Sequence, residues 1–309
     1  MKLLNFGSLN KDYVYDVEHF LQPGETMSSL GLFINCGGKG LNQSIAAAKA
    51  GIPVHHAGIV GTDGGILEEK LRENGVNISL LQRADSPNGH AIIQVDQSGQ
   101  NCILLYGGTN RMLTKEYIDR TLDAFADEKD VLVLLQNETN LVGYIMEEAH
   151  RRGMQTALNA APMNKDVPDY PLELLDWLIV NEVEGRQIAG CETDEEILPF
   201  LREKYPNCGI LLTLGSRGAC CVRGKEEYRI GCFHADVVDT TAAGDTFSGY
   251  FLYSIYEENN IPNALLLASA ASALAIGRKG ASDSVPLKAE VEEALRNGTL
   301  GELPAVKIR

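Results

Sequence analysis

The chain has no CxxC pair, and its seven cysteines are scattered without regular spacing. Nothing therefore suggests a zinc centre, a thioredoxin-type redox motif or a disulfide framework, and a reduced, cytoplasmic chain is expected. Positive charge is scarce: 27 basic residues face 42 acidic ones, a net charge of −15. That balance repels nucleic acid phosphates and anionic membrane surfaces, so neither is an expected partner. Long apolar runs are missing too. The most apolar stretch, 261–276, contains Pro262, Asn263, Ser269 and Ser272 and predicts a buried helix rather than a membrane span. The opening Met1–Gly7 is far too short in its apolar part for a signal peptide and predicts a first buried strand. There is no internal repeat, no low-complexity linker, no GxxxxGK[ST] phosphate loop and no GxGxxG dinucleotide fingerprint. A Walker-type NTPase and a Rossmann dehydrogenase are both disfavoured on that ground.

What is present is an ordinary globular composition, with 44% hydrophobic, 22% charged and 6% aromatic residues over 309 positions. A core of useful size is expected without staples, and neither a disordered tail nor a coiled-coil rod is indicated. Short alternating runs at Tyr13–Val17 and Leu30–Asn35 predict strands. Gly37 and Gly38 open an alanine-rich helix over Leu41–Ala50, which ends at Gly51 with Pro53 beyond. Two further alternating runs, Ala91–Asp96 and Cys102–Tyr106, flank Gln97–Gln100 and predict a hairpin. From about residue 112 the pattern changes. Continuous apolar runs at Val131–Leu135, Thr156–Leu158, Trp177–Val180 and Ile210–Leu214 alternate with helical stretches, the pattern of βα units around a parallel sheet. The expectation is a single α/β domain over 1–309 with a small β excursion from about 10–35 and 88–107. The excursion reads equally as a lid over a site or as edge strands of the main sheet.

The segment Asp239-Thr240-Thr241-Ala242-Ala243-Gly244-Asp245 enters a helical run through Tyr256. Small residues before a helix start leave backbone N–H groups bare at the positive end of the dipole, where a phosphoryl group can be held. Asp245 would sit in the first turn beside that hole, placed to accept a proton from an attacking hydroxyl, or simply to cap the helix. In Gly37–Gln43 the glycines permit close backbone approach, and Lys39 and Asn42 supply donors for a polar ligand such as a sugar; a plain glycine-rich turn is the alternative. Asn10 and Asp12 follow the first strand, where a carboxylate can take two sugar hydroxyls or a turn can form. Asn181 and Glu184 follow one apolar strand, and Thr213–Gly218, with Arg217, closes another. Each is explained as cheaply by a helix cap or a turn. Together they gather polar groups at the ends of parallel strands, which converge on one edge of such a sheet.

Taken in order, Asn10-Lys11-Asp12, Gly37–Gln43, Leu158-Asn159-Ala160-Ala161-Pro162, Asn181-xx-Glu184, Thr213–Gly218, Asp239–Gly249 and Arg278-Lys279-Gly280-Ala281 resemble the ribokinase branch of the PfkB carbohydrate kinase family. The resemblance spans essentially the whole chain. It implies a ribokinase-like α/β fold with a β lid, and ATP-dependent phosphorylation of a small sugar at a primary hydroxyl, with D-ribose as the leading acceptor. Asp245 is then the base, and Ala242, Ala243 and Gly244 form the anion hole. Asn10, Asp12, Gly38, Lys39, Gly40, Asn42 and Glu138 bind the sugar. Asn181, Thr213, Gly215, Ser216, Gly218 and Gly244 line the ATP site, and Glu184 belongs to the Mg²⁺ and phosphate environment.

The same resemblance implies an activating K⁺ held by oxygens of Asp239, Thr241, Ala275, Arg278, Gly280 and Ser284, and a homodimer through the lid. The chain departs from the branch pattern at Leu41, at Ala160 and at Asn88-Gly89-His90, which leaves another pentose, a ketohexose or a nucleoside open as acceptor. A non-catalytic sugar or nucleotide sensor is the rival from another class, and retention of Gly244 and Asp245 argues against it. No function is read for the cysteines, and the tail Ala305–Arg309 is expected to fray.

Overall fold

The structure, a computed structural model, describes residues 1–302 and 306–308. In chain order the first half runs β1 (Lys2–Phe6), β2 (Asn10–Asp16), β3 (Gly31–Gly37), α1 (Lys39–Ala50), β4 (Val54–Ala57), β5 (Ile59–Val60), α2 (Gly65–Glu73), β6 (Gln82–Arg83), β7 (Gly89–Val95) and β8 (Asn101–Tyr106). The second continues with α3 (Lys115–Asp123), β9 (Val131–Gln136), α4 (Val142–Arg151), β10 (Gln155–Asn159), β11 (Trp177–Asn181), α5 (Glu182–Ala189), α6 (Asp194–Lys204), β12 (Gly209–Thr213), β13 (Ala219–Arg223) and β14 (Glu226–Ile230). It closes with α7 (Ala243–Glu258), α8 (Ile261–Ile276), α9 (Lys288–Asn297) and β15 (Lys307–Ile308).

Among the described residues the main sheet has nine strands in the order β15-β14-β13-β12-β11-β10-β9-β1-β4. From β4 to β12 all pairings are parallel, and the β13–β15 edge is antiparallel. The continuous apolar runs are what a sheet covered on both faces requires, because alternate residues face opposite layers. Thus Leu132 and Leu134 join the cluster with α1, α7 and α8, while Val131, Val133 and Leu135 join the cluster with α3 to α6. The apolar stretch at 261–276 is α8, with nine buried residues and an Asn260 side-chain cap on Asn263. Among the described residues no helix is long and apolar enough to cross a membrane.

The β excursion forms a sheet of its own, in the order β3-β2-β7-β8, rather than an edge of the main one. β2 and β7 pair in parallel across a long chain interval, whereas β7 and β8 form the expected hairpin. α1 begins two residues before the expected start, because the Glu138 carboxylate accepts the Lys39 N–H at 2.7 Å and satisfies the first turn. It ends on Gly51, whose φ of 115° needs glycine. Within the tail expected to fray, Lys307 and Ile308 pair with β14, while Ala305 and Arg309 lie outside the described residues.

Candidate active site

The carboxyl ends of the parallel strands and the start of α7 converge on two adjoining cavities. The smaller, about 200 Å³, is lined by Lys39, Asn159, Asn181, Glu184, Thr213, Ala242, Ala243, Gly244 and Asp245 among others. The larger, about 590 Å³, shares Thr213, Thr240, Ala243 and Gly244 with it and extends to Gly215, Ser216 and Gly218. The walls that sequence reading missed come from Cys232–Ala235, Val237 and the α8 residues Ser269, Ser272, Ala273 and Ile276. None of these carries a motif; the α8 residues reach the cavity because α8 packs along α7, and residues 232–237 come from the segment that leads from β14 to α7.

At the mouth between the cavities, α7 starts from Ala242, a non-glycine residue with φ 60° and no side-chain cap. Ala243 N–H is taken by Thr240 O at 3.2 Å and Thr246 N–H by Ala242 O at 2.8 Å. The N–H groups of Gly244 and Asp245 between them have no acceptor among the described residues. They are bare donors at the positive end of a sixteen-residue helix. Of the three residues expected to form the anion hole, Ala243 therefore has its N–H engaged within the turn. Beyond its own helix and chain neighbours, a Cβ added at Gly244 would meet no atom of the described residues within 4 Å, so that side of the helix start is open space.

Asp245 is buried, and it does not cap its own helix. Its carboxylate accepts Asn42 Nδ2 on Oδ2 at 3.1 Å and Gln43 Nε2 on Oδ1 at 2.8 Å, both from α1. The two helices come that close because position 249 is glycine: a Cβ there would lie 2.6 Å from the Cβ of Ala46. Asn42 Oδ1 is buried without a partner among the described residues. Lys39 sits among the carboxylates of Asp245, Glu138 and Glu184, and although burial opposes its charge, their attraction raises its pKa above the ordinary value. Burial in turn raises Glu138 and Glu184 above the usual carboxylate range.

The other sequence-predicted polar residues gather at the junction with the small sheet. Glu138 accepts from Ser8 Oγ as well as from Lys39 N–H, so it closes the α1 N-terminus. Asn10 is buried, and its Oδ1 accepts Asn110 Nδ2 at 2.7 Å. Asp12 lies against Gly37, where a Cβ would fall 1.9 Å from its Oδ2. Burial, with the charge of Glu138 adding to it, pushes its carboxyl up to about 7.

Across the sheet, Asn181 and Glu184 form a capping box on α5: Glu184 N–H donates to Asn181 Oδ1, while Asn181 N–H and Nδ2 donate to the Glu184 carboxylate. Here the cap and a place on the cavity wall coincide. Arg217 does not enter either cavity; its guanidinium pairs with Asp194 on α6.

Of the residues expected to hold a monovalent cation, Thr241 and Gly280 are joined through the Asp239 carboxylate. Asp239 Oδ1 accepts Thr241 N–H at 2.9 Å and Oδ2 accepts Gly280 N–H at 3.0 Å, tying the loop before α7 to the loop after α8. Burial opposes its charge, but the bonds to Thr241 and Gly280 and the nearby Lys279 hold its pKa below the usual range. Arg278 N–H bonds Ala275 O, and Ser284 Oγ donates to Ala281 O. Among the described residues there is no cluster of three or more His, Cys, Asp or Glu that could hold a metal ion.

The pfkB family carbohydrate kinase profile matches residues 1–288, almost the whole of this architecture. The chain belongs to that family. A ribokinase of Haemophilus influenzae is 34% identical to this pfkB kinase over 300 residues, covering 94% of the chain and 97% of the relative. A deoxyribokinase of Salmonella typhi is 29% identical over 307 residues, covering 96% and 99%. The structure of Arabidopsis thaliana ribokinase complexed with ribose and ATP superposes with a TM-score of 0.84 at 28% identity, over 96% of this pfkB kinase and 98% of that chain. The chain is thus a ribokinase-like sugar kinase.

Proposed function

We propose that this kinase transfers the γ-phosphoryl group of ATP to the primary hydroxyl of a small sugar, with D-ribose as its acceptor, giving D-ribose 5-phosphate and ADP. What carries the reading is the juxtaposition at the start of α7: Asp245, oriented by Asn42 and Gln43, stands beside unpaired N–H groups between a polar pocket and a larger, more apolar cavity. The larger cavity suits an adenine nucleoside, with its triphosphate running past Gly215, Ser216 and Gly244 to the smaller one. Asn10, Asp12, Gly38, Lys39, Gly40 and Asn42 take the sugar hydroxyls. Asn42 Oδ1 and the Asp12 carboxylate are the acceptors free for that role.

Asp245 removes the proton from the attacking hydroxyl as its oxygen bonds the γ-phosphorus and the bridging bond to ADP breaks. The Gly244 and Asp245 N–H groups and the Lys39 ammonium face the charge that develops on the transferring group. Asn181, Thr213 and Gly218 bound the phosphate channel. Mg²⁺ on the nucleotide would neutralise phosphate charge, with Glu184 and Asn181 addressing it through water. K⁺ would be held by oxygens of Asp239, Thr241, Ala275, Arg278, Gly280 and Ser284, and would order the turn that presents Gly244. The small sheet is read as the lid, and its apolar surface as the seat of a second copy of this chain.

The test is ADP release with Mg-ATP and K⁺ across ribose, deoxyribose, other pentoses, fructose and nucleosides. Ribose is expected to be turned over fastest, and Asp245→Asn to lose at least about 100-fold in kcat, the lower end for a general base. Faster turnover of deoxyribose would move the acceptor toward that of the Salmonella relative. Ligand binding without turnover of any compound would favour a sensor, and turnover unchanged when Na⁺ or choline replaces K⁺ would remove the cation's role.

A further inference from the structure

A buried polar chain runs back from Asp245 to the far side of β1. Gln43 Nε2 donates to Asp245 Oδ1 at 2.8 Å, and Gln43 Oε1 accepts Gln136 Nε2 at 2.8 Å. Gln136 Nε2 also donates to Asn5 Oδ1 at 3.1 Å. Asn5 Nδ2 then donates to Ser44 Oγ and to Gly40 O, each at 2.8 Å. Ser44 Oγ meets His56 Nδ1 at 2.8 Å, and His56 Nε2 meets Gly7 O at 3.2 Å. The side chains of Gln43, Gln136, Asn5, Ser44 and His56 are fully buried.

The direction is imposed at the far end. Burial lowers the His56 pKa to about 4, so the ring is neutral. A backbone carbonyl accepts only, so the ring proton stands on Nε2 toward Gly7 O, and Nδ1 is left as an acceptor for the Ser44 hydroxyl. Ser44 Oγ, having donated, accepts from Asn5 Nδ2, which is also drawn by the fixed carbonyl of Gly40. Asn5 therefore presents Oδ1 to Gln136, whose NH₂ turns inward to bond two oxygens at once. Its Oε1 is left as a buried acceptor without a partner among the described residues. That orphan is the cost of the arrangement, because flipping the amide would set Oε1 against two other oxygens. With its own Oε1 held by Gln136, Gln43 can present only NH₂ to Asp245.

We propose that Gln43, beside Asn42, is a positioning residue of Asp245, and that the Gln136–Asn5–Ser44–His56 chain acts through it by fixing which end of the Gln43 amide faces the carboxylate. The inference rests on the reading of Asp245 as the base. It predicts that Gln136, which does not line either cavity, governs turnover and not ligand binding.

The experiment is steady-state kinetics on the full chain for Gln43→Met, Gln136→Met, the double variant and Asp245→Asn, with thermal unfolding to confirm that each folds. Gln43→Met should lose about 10- to 100-fold in kcat, in line with the effect of a misplaced reacting group, while KM for sugar and for ATP stays within about twofold. Gln136→Met should show a smaller loss of the same kind. The double variant should be no slower than Gln43→Met alone, since coupled residues are not additive. Losses that multiply in the double variant, or that appear in KM, overturn the proposal. Should Gln136→Met not fold, the isosteric Gln136→Glu serves: its carboxylate attracts the Gln43 NH₂ away from Asp245 and must lower kcat, and unchanged kcat overturns the chain. Full turnover by Asp245→Asn removes the base itself. An inactive Asp245→Asn beside a fully active Gln43→Met rejects the positioning role alone.

Discussion

Asp12 illustrates how one side chain acquires its chemistry from its surroundings. Its carboxyl is packed against the glycine at position 37 and faces the charge of Glu138, so ionisation is deferred to about 7. An ionised carboxylate accepts two sugar hydroxyls, whereas the neutral acid loses acceptor capacity. The sign follows: sugar binding is favoured above about 7 and weakens as the pH falls through that value. The KM for sugar is expected to rise by up to about tenfold per pH unit below 7, as binding linked to loss of one proton requires. Asp12→Asn should bind weakly at every pH with that slope removed. Steady-state KM values between pH 5.5 and 8.5 check it, and a wild-type KM that is flat over this range would detach Asp12 from the sugar.

Among the elements, the contact of α1 with α7 does most to assemble the site. α1 contributes Asn42 and Gln43, and α7 contributes Asp245; their register depends on the absence of a side chain at Gly249. Gly249→Val would force its Cβ against Ala46 and push the helices apart. Overpacking of this kind costs about 1–3 kcal/mol, and the loss of kcat should exceed what that destabilisation alone produces. Chemical denaturation and kinetics on the same variant separate the two effects. Stability lowered with kcat unchanged would mean that the active-site bonds do not depend on the helix spacing. The start of α7 carries strain in the αL conformation of Ala242, held where the chain turns from Thr240 into the helix.

For the molecule as a whole, the prominent surface feature is the small sheet. Phe33, Ile103, Leu104, Leu105 and Tyr106 are all half or more exposed, with Leu104 at 68%, and β8 is exposed along its whole length at the sheet edge. An apolar strand left in this state invites pairing or association. A second copy of the chain is the occupant proposed for it. If that proposal holds, Leu104→Glu with Phe33→Glu shifts the chain from dimer to monomer in sedimentation or light scattering, and raises the KM for sugar because the sheet proposed as the lid is no longer braced. A wild-type chain that is monomeric at working concentration would reject this role for the sheet.

The sequence alone determined the elements, because their signals are local. Apolar runs at 131–135 and 177–180 mark strands covered on both faces, Gly51 and Pro53 mark the end of α1, and small residues before Asp245 mark the start of α7. The same locality exposed Asn10, Asp12, Gly37–Gln43, Asn181, Thr213–Gly218 and Asp239–Gly249 as polar or glycine-rich breaks at strand and helix ends. Tertiary structure alone decided how those breaks meet. The bonds that orient Asp245 come from residues more than two hundred positions earlier, and β2 pairs with β7 across the intervening α1 and α2. The α8 wall of the larger cavity and the buried chain from Gln136 to His56 have no sequence mark. Each member reads locally as an ordinary core or helix residue, and its role arises only when packing removes water and leaves one arrangement in which nearly every donor and acceptor is matched.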